Sequence, residues 1–172
     1  MIFTHQTMKI EKLIKACFIG SLAVMGFLGF GEEPPQKIVF PEGLLTMSLN
    51  DSLQFDADYK VVTYIKGNNN MHQLWVDWMG YIDEFPEVPF IFYFEASDTT
   101  KLFEEMEKNG FHHPFVLDPE NLFFEENEFG KLDLKQYNFI PYIVEGNTVI
   151  GFAEVGMPPL FRKDIGNLLD KK

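Results

Sequence analysis

Residues 60–79 read KVVTYIKGNNNMHQLWVDWM, and the reading of this stretch decides the fold. Tyr59 to Ile65 is β-branched and aromatic, the composition of a buried strand. Lys66-Gly67-Asn68-Asn69-Asn70 interrupts it. Asparagine is a good helix N-cap, because its side-chain oxygen accepts an orphan amide of the first turn. Beyond the break Met71, Leu74, Trp75, Trp78, Met79, Ile82 and Phe85 recur at steps of three and four, while Asp77, Asp83 and Glu84 lie off that line. The spacing predicts one amphipathic helix with the whole stripe, both tryptophans included, in the core and Pro86 as its stop.

Working outward, the same logic assigns the rest of the chain. Val88 to Phe94 is a second buried strand, with Pro89 at its start, where a missing donor does least harm. Ser97 and Asp98 cap a helix over Thr99 to Lys108, which turns Leu102, Phe103 and Met106 inward. Asn109-Gly110 closes that helix, glycine being suited to the left-handed cap position. Phe115 to Leu117 is a short strand, followed by a helical or irregular stretch from Asp118 through Glu128. Phe139 to Val144 and Thr148 to Ala153 flank the turn Glu145-Gly146-Asn147 and form a β-hairpin. Pro158-Pro159 starts a last helix, with Leu160, Phe161, Ile165, Leu168 and Leu169 facing inward. Thr46 to Leu49 is an early strand. The order predicts an α/β domain: a central mixed sheet with flanking helices, then a C-terminal hairpin and helix.

The amino terminus has the layout of an address. Lys9, Lys12 and Lys15 precede an uncharged run over residues 16–30, ACFIGSLAVMGFLGF, as in a secretory signal. Fifteen residues is short for a membrane span, which takes about 20. Residues 1–31 are therefore assigned to a signal peptide or, if uncleaved, a membrane anchor. Residues 32–45, which include Pro34-Pro35, form a linker and lead-in segment, and residues 46–172 form the domain. Cleavage fits after Gly31. The expected location is outside the cytoplasm, in a periplasm or at an envelope, with membrane contact only through this segment.

The formal net charge is −12 and 19 residues are phenylalanine. So acidic a chain cannot neutralise a row of phosphates, which excludes nucleic acid as a partner and disfavours anionic membrane surfaces. The only cysteine, Cys17, falls in the leader, so neither an internal disulfide nor a zinc site of several thiolates can form.

The element order resembles the thioredoxin superfamily, and within it exported thioredoxin-like proteins with an insertion before the third helix. Three stretches carry the resemblance: residues 60–79, FEASD at 94–98 leading into a helix, and NFIPYIVEGNTVIGFAEVG at 138–156. It spans about Tyr59 to Leu169. The family's chemistry resides in a Cys-x-x-Cys pair at the start of the first helix, where the dipole lowers a thiol pKa. The pair's places fall at Asn69 and His72, or one residue earlier at Asn68 and Met71, and no thiol stands at any of them. The resemblance further implies that Pro141 is the family's cis-proline, with Ile140 offering backbone groups to an extended peptide. The candidate binding surface is accordingly Asn68, Asn69, Asn70, Met71, His72, Ile140 and Pro141, with no cofactor, no metal and no catalytic residue assigned. A polypeptide or protein is the expected partner.

Other chemistry is weakly signalled. His72, His112 and His113 are the histidines outside the leader. Adjacent histidines in an extended segment point to opposite faces and serve one ion poorly. Asp118, Glu120, Glu125, Glu126 and Glu128 lack the Asp-x-Asp-x-Asp-Gly pattern of a calcium loop. No Gly-x-Gly-x-x-Gly, P-loop or Gly-x-Ser-x-Gly is present. Two alternatives stay open at this point: an enzyme with non-thiol chemistry, such as a metal at His72, and a structural subunit of an envelope complex.

Overall fold

The computed structural model describes residues 37–47, 53–66, 71–127 and 139–170. The leader and the three asparagines at 68–70 lie outside them. Among the described residues six strands form one mixed sheet: β1 (Leu45–Met47), β2 (Tyr59–Lys66), β3 (Phe90–Glu95), β4 (Phe115–Leu117), β5 (Phe139–Glu145) and β6 (Thr148–Phe152), in the spatial order β1-β4-β3-β2-β5-β6. β2, β3 and β4 run parallel, while β5 is antiparallel to β2 and to β6. Among the described residues four α-helices accompany them: α1 (Trp78–Glu84), α2 (Thr99–Lys108), α3 (Leu122–Glu126) and α4 (Pro158–Leu169).

The central strands are apolar throughout because both faces of the sheet are covered. Alternation along β2 and β3 sends Val61, Ile65, Phe90, Phe92 and Phe94 to one side. There they meet Trp78 and Tyr81 of α1, Leu102 and Met106 of α2, and Phe161, Ile165 and Leu168 of α4. Val62, Tyr64, Ile91 and Tyr93 point the other way, onto Phe123 of α3 and onto Ile38, with Phe40, Leu44 and Phe55 beside it. α1 and α2 share a face because two successive parallel crossovers of the same hand, advancing in the same direction across the sheet, pack on the same side. Much of the phenylalanine content is absorbed here. The Phe92 ring lies 5.0 Å from Trp78 and 5.1 Å from Phe111, both edge-on.

Several ends are set by the chemistry read from sequence. The Asp98 carboxylate accepts the Lys101 amide at 3.1 Å to start α2. Gly110, at φ +67°, ends it, with the Phe111 amide returned to the Met106 carbonyl at 2.8 Å. Gly146, at φ +58°, turns the β5–β6 hairpin.

The part of the lead-in segment that is described belongs to the folded body. Ile38 is buried, and its amide donates to the Asn147 carbonyl at 2.7 Å. The buried Asn127 side chain grips Val39 by both ends: its oxygen accepts the Val39 amide at 2.8 Å and its nitrogen donates to the Val39 carbonyl at 2.9 Å.

Two sequence expectations need correction. The first helix is not continuous from Met71: a 3₁₀ turn, Met71–Trp75, precedes α1, which starts only at Trp78. Asp77 caps α1 by accepting the Gly80 amide at 3.0 Å, and the Trp78 indole N–H bonds the Gln73 carbonyl at 2.8 Å. A cap and a side-chain bond thus hold the chain where an unbroken helix would have run. Second, Phe103 and Leu160, expected inside, are each 41% exposed. The inward stripe of α2 is the narrower pair Leu102 and Met106, and that of α4 begins at Phe161.

Candidate functional site

β2 leaves the sheet at Lys66 and the chain returns in the 3₁₀ turn. A 3₁₀ helix has three residues per turn, so side chains three apart eclipse. Gln73 and Leu74 are buried, whereas His72 and Trp75 both point outward, their ring centroids 4.0 Å apart and the planes inclined by 62°. Trp75 is 65% exposed, against 1% for Trp78 three residues later. Periodicity had placed both in the core. The 3.6-residue period that would have turned Trp75 inward does not apply in this turn.

The start of β5 meets the same end of the sheet, since Ile65 pairs with Phe139, Tyr64 with Ile140 and Thr63 with Pro141. Pro141 thus stands in β5 opposite Thr63 of β2. Pro141 is a buried member of the strand, and its carbonyl accepts the Ala153 amide at 3.0 Å. The reciprocal bond is the one proline cannot make, and it falls just past the end of β6, where the ladder is finishing anyway. Of the sequence-derived surface, the structure thus brings His72, Ile140 and Pro141 to one end of the sheet. Asn68, Asn69 and Asn70 lie outside the described residues, and Met71 opens the 3₁₀ turn.

The other histidines are occupied separately. His112 Nδ1 lies 2.8 Å from the Gly110 carbonyl and His113 Nε2 lies 2.8 Å from the Phe90 carbonyl. Asp118 is completely buried, and its two oxygens accept the amides of Leu122 and Phe123, each at 2.8 Å. It is the cap of α3. Among the described residues no three His, Cys, Asp or Glu side chains are grouped so as to hold a metal ion.

A mixed sheet with parallel β2, β3 and β4, antiparallel β5 and β6, and helices on both faces is also the architecture of a solved structure that matches this chain. A solution structure of a thioredoxin-like protein in its oxidized form superposes with a TM-score of 0.55, at 12% identity, over 81% of this chain and 97% of that one. The fold is thioredoxin-like. The thioredoxin domain of a thiol-disulfide oxidoreductase from Bacteroides vulgatus also aligns, over 66% of this chain and 81% of its own, at 12% identity and a TM-score of 0.46. No protein-family model and no curated protein matches the sequence. This thioredoxin-like chain holds a single cysteine, Cys17, and so has no Cys-x-x-Cys pair.

Proposed function

We propose that this is a redox-inactive thioredoxin-fold module that works outside the cytoplasm and binds a polypeptide or partner protein. The observation that carries the reading is a thioredoxin-like fold without a thiol at the head of its first helical segment. Disulfide exchange proceeds by thiolate attack through a mixed disulfide, and an amide or an imidazole supplies no such nucleophile. What the fold retains is a sheet end where β2 leaves and β5 arrives, bearing His72 and Ile140, with Pro141 buried in the strand beside Ile140 and Asn68 to Met71 in the connecting stretch. That surface is the proposed contact. The uncharged run at residues 16–30 behind three lysines supports export.

The test pairs two assays on the purified protein. Reductant-driven disulfide reduction of a protein substrate should stay at the uncatalysed rate. A panel of extended peptides should yield ligands whose affinity falls in His72→Ala and in Ile140→Asp. Catalysed reduction, or a panel without any ligand sensitive to those substitutions, would overturn the proposal.

A further inference from the structure

We infer that the Trp75–His72 pair is the docking point for a basic polypeptide segment, an arginine or lysine of the partner lying against the exposed indole. The inference rests on the reading of the domain as a polypeptide-binding module and specifies its partner. Trp75 is the most exposed large apolar side chain among the described residues. It is not loosely held. The turn that carries it is anchored beneath by buried Leu74 and by the Gln73 carbonyl, which accepts the Trp78 indole N–H at 2.8 Å. His72 packs on one side of it at 4.0 Å. An aromatic anchor fixed before binding loses little freedom when a partner arrives, and tryptophan is prominent among residues that dominate interfaces.

Charge chooses the occupant. From Met71 to Asn127 the chain has thirteen Asp and Glu against two Lys, whereas the rest of the protein has thirteen against twelve. Almost all of the net −12 therefore lies in the segment that begins with the 3₁₀ turn. Within it only Glu95 and Asp118 are buried among the carboxylates. Of the carboxylates that follow Trp75 most closely in sequence, Asp77, Asp83 and Glu87 are exposed, while Glu84, also exposed, is paired with Arg162 at 2.7 Å. A field of this sign draws in cationic segments and repels acidic ones. An arginine or lysine delivered to an exposed indole gains a cation–π contact that a neutral side chain does not.

The experiment titrates the intact protein with three synthetic peptides: an Arg-Ala repeat, a Glu-Ala repeat and an uncharged extended peptide of Gln and Val. Calorimetry gives affinities for the parent and for Trp75→Ala. Emission reports the site directly, because of the two tryptophans only Trp75 is exposed. The Arg-Ala peptide should bind, perturb the exposed-indole emission, and weaken as salt is raised. Trp75→Ala should lose about tenfold or more of that affinity with an unchanged melting temperature. Arg-Ala binding that is indifferent to Trp75→Ala overturns the inference, since charge alone would then account for it. Equal or tighter binding of the uncharged peptide overturns the basic partner but leaves the binding module standing. Failure of all three peptides to bind counts against both readings.

Discussion

The sharpest structural prediction concerns Asp118. Its carboxylate is fully buried and accepts two amides of the first turn of α3, Leu122 and Phe123, each at 2.8 Å. Asn121, at the N-cap position, makes no side-chain capping bond, and the cap comes from Asp118 instead. A hydrogen bond to a charged group contributes about 1.5–3 kcal/mol, and a buried donor left unmet costs about 1–3 kcal/mol. Water can replace the partner at the half-buried Leu122 end but not at buried Phe123, so Asp118→Ala should cost about 3 kcal/mol. Asp118→Asn keeps one acceptor oxygen and should cost about 2 kcal/mol, the new amide facing an N–H. Phe123 stacks on Tyr93 with centroids 3.9 Å apart, so near-ultraviolet circular dichroism should change along with stability. The assay is urea unfolding with m compared among variants, and a melting point lower by about 10 °C is expected for the alanine variant. An alanine variant within about 1 kcal/mol of the parent, or an asparagine variant worse than alanine, would refute the reasoning.

Other substitutions test other joints. Asn127→Leu, similar in volume, removes the two bonds to Val39 and one to the Phe123 carbonyl; it should cost about 2–3 kcal/mol and make the chain near Val39 the first site of limited proteolysis, read by mass. Phe92→Ala empties the centre of the aromatic core and should cost about 4 kcal/mol in the same unfolding assay. Burial raises the hydroxyl pKa of Tyr64, Tyr93 and Tyr142 above the ordinary value of 10.0. Below about pH 10 both folded and unfolded states keep these protons, so this contribution is flat with pH. Above that pH the unfolded chain releases them first and stability falls, by up to about 4 kcal/mol per pH unit for three groups. Burial lowers the Lys60 pKa, which acts in the opposite sense but through one group only. Tyrosinate absorbance should therefore rise in two stages, the later one coinciding with unfolding; a single transition near pH 10 with the fold intact would contradict it.

Much of the fold was legible because its signals are local. The apolar runs at Tyr59–Ile65 and Val88–Phe94 become β2 and β3 through side-chain alternation alone. Asp98 and Gly110 bound α2 through bonds to residues within a few positions. The candidate site was less legible. His72 could be located by spacing, but Trp75, its neighbour in space, was assigned to the core. The apolar stripe from Met71 to Phe85 fits an unbroken α-helix, and nothing in it announces the 3₁₀ turn that Asp77 and the Trp78–Gln73 bond impose. Asp118 stood in the sequence only as one of several acidic residues without a calcium-loop pattern, and its role as the cap of α3 came from its distances.

The sequence by itself determined the succession of strands and helices, the acidic bias that begins at Met71, and the lack of any thiol where thioredoxin chemistry needs one. These follow from composition and short-range periodicity. The tertiary structure alone decided that Trp75 faces solvent while Trp78 is buried, that Pro141 lies buried within β5, and that Asn127 fastens Val39 from 88 positions away. Each depends on a partner distant in sequence or on a choice between helical periods differing by 0.6 residue per turn, and the free energy that settles such choices resides in packing, which local pattern does not record.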